Sequence, residues 1–205
     1  MQVIVVANPK GGVGKSTLST NVAGYLAAQG RAVMLGDIDR QQSARTWLGL
    51  RPAAAAAIRA WDTLDDLRVR TPKGTTHVVL DTPAGLHGKR LDEVLKIATH
   101  MLVPLQPSIF DIHATHDFLQ RLAEHKRTQK LQVGIVGMRS RDGTLSADHL
   151  KTFLGTQAFP VLTHLRDTQN YVHLAAHGLT LWDVAPSRVE RDLAQWQSLT
   201  TWIDG

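Results

Sequence analysis

Val3-Ile4-Val5-Val6-Ala7-Asn8-Pro9 followed by Lys10-Gly11-Gly12-Val13-Gly14-Lys15-Ser16-Thr17 is a β-branched apolar run that ends in a glycine-rich turn. The turn opens a segment with apolar residues at helical spacing: Leu18, Val22, Ala23 and Leu26. Strand, loop and helix in that order make a phosphate-binding loop. Glycines let successive backbone N–H groups turn toward one point, and the helix N-terminus adds its positive dipole end, so the segment cradles a polyphosphate. Lys10, Gly11, Gly12, Val13, Gly14, Lys15, Ser16 and Thr17 are therefore the nucleotide-binding candidates. Within them, Lys15 is placed to reach the β- and γ-phosphates and the Ser16 hydroxyl to ligate Mg²⁺.

A second acidic stretch, Gly36-Asp37-Ile38-Asp39-Arg40-Gln41-Gln42-Ser43, follows the apolar run 32–36. Acids two residues apart share one side of an extended chain, so Asp37 and Asp39 are expected at a strand end beside the phosphate loop. A helix N-cap is the alternative use for such acids. A third stretch, Val78-Val79-Leu80-Asp81-Thr82-Pro83-Ala84-Gly85, puts a carboxylate after an apolar run, the Walker B arrangement that holds Mg²⁺ through its waters. Ser16 and Asp81 form the metal candidates, and the resemblance named below adds Asp37.

The general phosphate-loop pattern asks for Gly five residues before the Gly-Lys pair, and Pro9 stands there. With Lys10 ahead of two glycines, the loop instead resembles the deviant Walker A box of the ParA/MinD family of ATPases, within the P-loop NTPases. The resemblance implies that Lys10 reaches the partner's phosphates across an ATP-sandwich homodimer. It implies that Asp39 orients the attacking water, and that Asp37 supports the Mg²⁺ site or its switch. Lys10, Lys15 and Asp39 become the catalytic candidates, with ATP and Mg²⁺ as cofactors. Arg40 stands where the family commonly has proline, and Met138-Arg139 where it often has asparagine for the adenine. Backbone groups near Pro186 are an alternative base contact. The Asp81-Thr82-Pro83-Ala84-Gly85 string is similar to the family's second switch, and Val103-Pro104-Leu105-Gln106-Pro107-Ser108 with Asp111 resembles a dimer-facing loop. Arg166-Asp167, Tyr171, Ala175-Ala176-His177-Gly178 and Trp182-Asp183 resemble the end of small ParA proteins, so the likeness spans nearly the whole chain.

The 205 residues suit one domain, residues 1–205. Apolar runs at 3–7, 32–36, 77–80, 101–105, 133–137 and 159–162 read as strands. Helical patterns fall near 16–29, 41–48, 88–98, 111–127, 145–154, 168–177 and 187–203. This rhythm predicts an α/β fold: a doubly wound, mostly parallel sheet with helices on both faces, with ligands at the carboxyl ends of the strands. Residues 49–76 are the least regular, with Thr63-Leu64-Asp65-Asp66 able to cap a short helix.

Zero cysteines exclude a disulfide scaffold, thiolate zinc sites and iron–sulfur clusters. The ten histidines show no ligand cluster, and His113 and His116 lack a supporting acid pair. No leader pattern and no run of about 18 apolar residues occurs, so a cytoplasmic protein is expected. The stripe Leu193, Trp196, Leu199, Trp202 and Ile203 has Asp192 and Asp204 on its polar face rather than lysines, so core packing is expected and membrane binding is not.

The net charge is +5, and residues 120–170 hold eight Lys or Arg against four acids. Clustered cations suit sequence-independent contact with nucleic-acid phosphates, and equally a solvated basic face. Arg139, Arg141, Lys151, Arg166, Arg188 and Arg191 are the DNA-contact candidates. Together with the resemblance they give a nucleoid-associated ATPase that partitions or positions a cargo. A ParB-like or cargo-adaptor protein would stimulate its slow hydrolysis. A MinD-like membrane-cycling regulator and a metabolic P-loop ligase or kinase are the rival classes.

Overall fold

The computed structural model describes residues 1–62, 71–141 and 144–205, apart from the side chains at 109, 146–149 and 151. The helix cap read at Thr63-Leu64-Asp65-Asp66 and the side chain of Lys151 lie outside the described residues.

Among the described residues, seven strands form one sheet in the order β3-β2-β4-β1-β5-β6-β7. They are β1 (Gln2–Val6), β2 (Val33–Asp37), β3 (Ile58–Trp61), β4 (His77–Asp81), β5 (His100–Leu105), β6 (Gln132–Ser140) and β7 (Val161–Arg166). Every described pairing is parallel. The inner strands are continuous apolar runs because helices cover both faces. Along β1, Ile4 and Val6 face one core layer while Val3, Val5 and Ala7 face the other. The first layer packs α1 (Lys15–Ala28), α2 (Ser43–Leu50), α6 (Gln169–Ala175) and α7 (Pro186–Asp204); the second packs α3 (Gly88–Ile97), α4 (Ile109–Glu124) and α5 (Leu145–Leu154).

β1 is central, with β4 on one side and β5 on the other. The chain order reverses there, and the crevice above such a strand is where doubly wound sheets take ligands. The phosphate loop leaves the carboxyl end of β1, so topology alone puts it in that crevice.

Two elements depart from the sequence reading. β3 lies inside the segment read as irregular; it is a four-residue edge strand whose middle residues, Arg59 and Ala60, are exposed. β7 starts at Val161, after Pro160, and runs on through Thr163 and His164 to Arg166, where 159–162 was expected. An edge strand tolerates such polar residues, and proline cannot donate to the ladder.

The apolar stripe of α7 packs on the core as expected: Trp196, Leu199 and Ile203 are buried. Of its two acids, Asp204 is exposed as expected of a polar face, but Asp192 is not. Asp192 is fully buried and pairs with Arg166, and Asp204 accepts a hydrogen bond from the Tyr25 hydroxyl at 2.5 Å. Among the described residues no helix is long and apolar enough to cross a membrane.

Candidate functional site

Asn8, the first polar residue after the β1 run, is fully buried and bolts down the base of the loop. Its amide donates to the Pro104 carbonyl at 2.8 Å and to Thr115 Oγ1 at 2.9 Å, and its Oδ1 accepts the Lys10 N–H at 2.8 Å. The loop then turns through Gly12 and Gly14 at φ 76° and 95°, a left-handed conformation that L side chains rarely adopt. At Gly14 space is restricted as well, because a Cβ there would lie 2.8 Å from Met138 Cε. α1 begins at the next residue, Lys15, and Leu18 N–H donates to the Gly14 carbonyl.

Lys15, Ser16 and Asp81 converge at the start of α1. The Ser16 hydroxyl donates to Asp81 Oδ2 at 2.6 Å and the Ser19 hydroxyl to Asp81 Oδ1 at 3.1 Å. Lys15 Nζ donates to the Lys10 carbonyl at 2.6 Å. Burial pushes the Asp81 carboxyl up to about 7; the Ser16 hydrogen bond opposes the rise and Asp37 adds to it. Asp37 is its in-register neighbour on β2. Burial also lowers the Lys15 ammonium from its ordinary value, against the attraction of Asp81 and Asp39. A hydroxyl and a carboxylate are hard oxygen donors, so the pair suits Mg²⁺, which takes one or two protein oxygens beside phosphate and water.

The structure separates the roles of Asp37 and Asp39. Asp37 is buried, and its carboxylate accepts the N–H groups of Asp39, Ala44 and Arg45 at 2.9, 2.8 and 3.3 Å. It anchors the first turn of α2, the helix-capping alternative. Both of its oxygens accept backbone amides, two of the three hydrogen bonds falling on Oδ2. Asp39 is only half-buried, accepts the Gln41 N–H at 3.0 Å, and is close enough to act on the Lys15 charge. Gln42 sits in the left-handed region at φ 51° and donates to the carbonyls of Asp37 and Asp39, fixing the loop that carries both acids.

Lys10 lies 3.9 Å from Asp111, and Gln106 Nε2 donates to the Gly12 carbonyl at 2.6 Å, so the 103–111 segment touches the loop. The sequence reading passed over Asn8, Gln42 and Thr115. Only Asn8, a polar residue closing an apolar run, carried a local signal.

A cavity of about 580 Å³ opens beside Gly14 and Thr17, walled by Met138, Arg139, Tyr171, Val172 and the 166–169 and 175–176 segments. Pro186, the alternative base contact, opens α7 and is not among its lining residues. A second cleft of about 480 Å³ between α2 and β3 holds no candidate residue.

The basic quarter of the chain is not one surface. β6 spans nine residues, roughly 27 Å. It places Arg121, Lys126, Arg127 and Lys130 at the end of the sheet away from the loop, and Arg139, Arg141 and Arg166 at the loop end. Arg166 is held by the buried Asp192 and Arg141 by Asp167, while Arg139, Arg188 and Arg191 are exposed. Among the described residues no group of three metal-ligating side chains occurs.

Residues 4–181 match the model of the CobQ/CobB/MinD/ParA nucleotide binding domain. The chain is 26% identical over 189 residues to the maintenance of carboxysome distribution protein A of Halothiobacillus neapolitanus, covering 88% of this chain and 87% of that one. With the protein of the same description from Gloeobacter kilaueensis it is 38% identical over 113 residues, a match spanning 54% of this chain and about half, 52%, of that relative. The structure of an ATP complex of a Cyanothece McdA variant superposes with a TM-score of 0.70 at 16% identity, covering 98% of this chain and 96% of that one, a likeness of fold. A match over most of the chain shows the family: the chain belongs to the CobQ/CobB/MinD/ParA family of nucleotide-binding domains.

Proposed function

We propose that this protein is a small positioning ATPase that cycles between an ATP-bound homodimer able to hold DNA without sequence preference and a released ADP form. The observation that carries this reading is the convergence of Lys15, Ser16 and Asp81 under the loop, with Asp39 facing them from β2's end. The likeness to the carboxysome distribution protein of H. neapolitanus over 88% of the chain supports positioning as the task.

In this scheme the loop amides and Lys15 hold the β- and γ-phosphates, where their charge stabilises the transferring group. Asp39 orients the attacking water, and Lys10 of a second copy completes the site. Ser16 and Asp81 would hold Mg²⁺, which when bound neutralises phosphate charge. Only the γ-phosphate bridges two copies, so ATP favours the dimer and hydrolysis releases it. An adaptor protein on the cargo stimulates that step, and nucleoid DNA is the substrate for movement. Arg188 and Arg191, exposed and three residues apart near the start of α7, are the proposed DNA contacts.

The test is co-sedimentation with nonspecific duplex DNA in ATP, ADP or no nucleotide, using Asp39→Ala to retain ATP. A salt-sensitive complex with ATP alone, accompanied by a dimer, supports the reading. ATP-dependent dimers that ignore DNA would reject the DNA step, and turnover that needs an organic acceptor would replace the ATPase with a ligase or kinase.

A further inference from the structure

Arg139 belongs to the rim of the cavity beside the phosphate loop, although its place in a basic stretch of sequence suggests a DNA contact. Its backbone is unusual: at φ 50° it is one of two non-glycine residues in the left-handed region among those described, the other being Gln42 beside Asp39. The β6–β7 ladder breaks between Gly137 and Ser140, so the strand bulges at 138–139. Bulges re-aim side chains, and strained backbone of this kind concentrates at ligand sites. Here the bulge turns Met138 inward against Gly14 and leaves Arg139 exposed at the cavity mouth.

Of the polar side chains in the lining, Arg166, Asp167, Thr168 and Tyr171 are engaged. Asp167 Oδ2 accepts from Arg141 at 3.0 Å, and Thr168 Oγ1 from the Asn170 N–H at 3.3 Å. Tyr171 accepts from Trp196 Nε1 at 2.8 Å, and Arg166 donates to Asp192 and Asn170 to the same carboxylate. Among the described residues no hydrogen bond or ion pair holds the Arg139 guanidinium. The remaining wall, with Met138, Val172, Ala175 and Ala176, is apolar, and the volume suits a nucleoside.

We infer that Arg139 reads the purine base of the bound nucleotide and is not part of a DNA-binding face. The inference rests on the phosphate-loop reading above, since the base must lie in this cavity when the loop holds the phosphates. A guanidinium is donor-only, so it selects ring acceptors. Atom N7 offers one on both purines and neither pyrimidine, and guanine adds O6 beside it, which arginine takes in a bidentate pair.

The test is equilibrium titration with fluorescently labelled ATP, GTP and CTP on the full chain, Arg139→Ala and Arg139→Asn; asparagine tolerates the left-handed backbone, so its effect isolates the side chain. Both variants are expected to weaken ATP about tenfold, the size of one charge-assisted hydrogen bond at an open rim, GTP by more, and CTP by under twofold. DNA binding at saturating ATP stays at the parent's level. Equal weakening of all three nucleotides would make the bulge merely structural and overturn the inference, as would unchanged purine binding or lost DNA binding at saturating ATP. Nucleotide binding that survives Lys15→Ala in the parent would instead remove the phosphate-loop reading itself.

Discussion

Asp81→Asn removes the charge that the site keeps buried, and it should make the nucleotide-free protein more stable at alkaline pH while disabling it. The folded carboxyl lies at about 7 against an ordinary 3.8, chiefly through burial. Because the folded value is above the unfolded one, the native state holds this proton more tightly. Stability is therefore fullest near pH 4, falls as pH rises, and has lost the whole contribution above about pH 7. Three pH units correspond to about 4 kcal/mol. An asparagine is free of that loss, but it can accept from only one of the Ser16 and Ser19 hydroxyls, and Lys15 loses a counter-charge; at about 1 kcal/mol each, these leave a gain of about 2 kcal/mol at pH 8. Thermal unfolding followed by circular dichroism, in EDTA without nucleotide, should show Asp81→Asn melting roughly 4–8 °C above the parent at pH 8 and close to it at pH 5. The gain that Mg²⁺ and ATP give the parent should vanish in the variant. A variant less stable than the parent at pH 8, or a difference that does not change with pH, would refute the reasoning.

Three further substitutions probe the frame around the site. Gly14→Ala brings a Cβ to 2.8 Å from Met138 Cε at φ 95°, and should cost about 1–3 kcal/mol in urea unfolding and abolish ATP binding; Met138→Ala in the same chain should recover stability more than binding. Arg51→Met leaves Asp183 buried without the guanidinium that grips it at 2.8 and 2.9 Å, a loss of about 3–5 kcal/mol, and Asp183→Asn beside it should restore about half in a double-mutant cycle. Gly24→Ala drives a methyl to within 2.4 Å of the Thr180 side chain, where α1 meets the turn at Leu181–Asp183; a Tm drop of roughly 3–10 °C is expected, and Thr180→Ser should relieve only the part due to the Thr180 methyl.

The phosphate loop was legible because strand, turn and helix are consecutive, so about twenty residues carry all the information. Asp81 was legible for the same reason, as a charge closing an apolar run. β3 was not: Ala53 to Ala57 provide no apolar contrast, and Ile58-Arg59-Ala60-Trp61 is too short and too exposed to show a period. Contacts across the fold left no trace either. Asp192 and Arg166 stand 26 residues apart, and Gln106 and Gly12 stand 94 apart, so a polar helix face and a loop glutamine were all the sequence offered. The basic stretch is one cluster in sequence but not in space, for a geometric reason. Cations on either side of one strand in sequence lie at opposite ends of β6, so a charge count along the chain merged two surfaces.

The side chains that would hold the phosphates and Mg²⁺ within the chain already have partners there. Lys15 holds the Lys10 carbonyl, Ser16 holds Asp81, and Gln106 occupies the Gly12 carbonyl. Nucleotide binding is then an exchange of partners, and its net gain comes from replacing a neutral carbonyl at Lys15 by a charged oxygen, which accepts roughly twice as strongly. The two lysines differ in how they are held. Lys15 is buried and bonded at 2.6 Å, whereas the Lys10 side chain is 41% exposed and among the described residues pairs with Asp111 alone, at 3.9 Å. A lysine that serves its own loop gains from being fixed, because little side-chain entropy remains to be lost on binding. A lysine that must cross to another copy gains from being loose. The contrast in restraint between residues five apart fits the proposed division of labour, with Lys15 acting within the chain and Lys10 between chains.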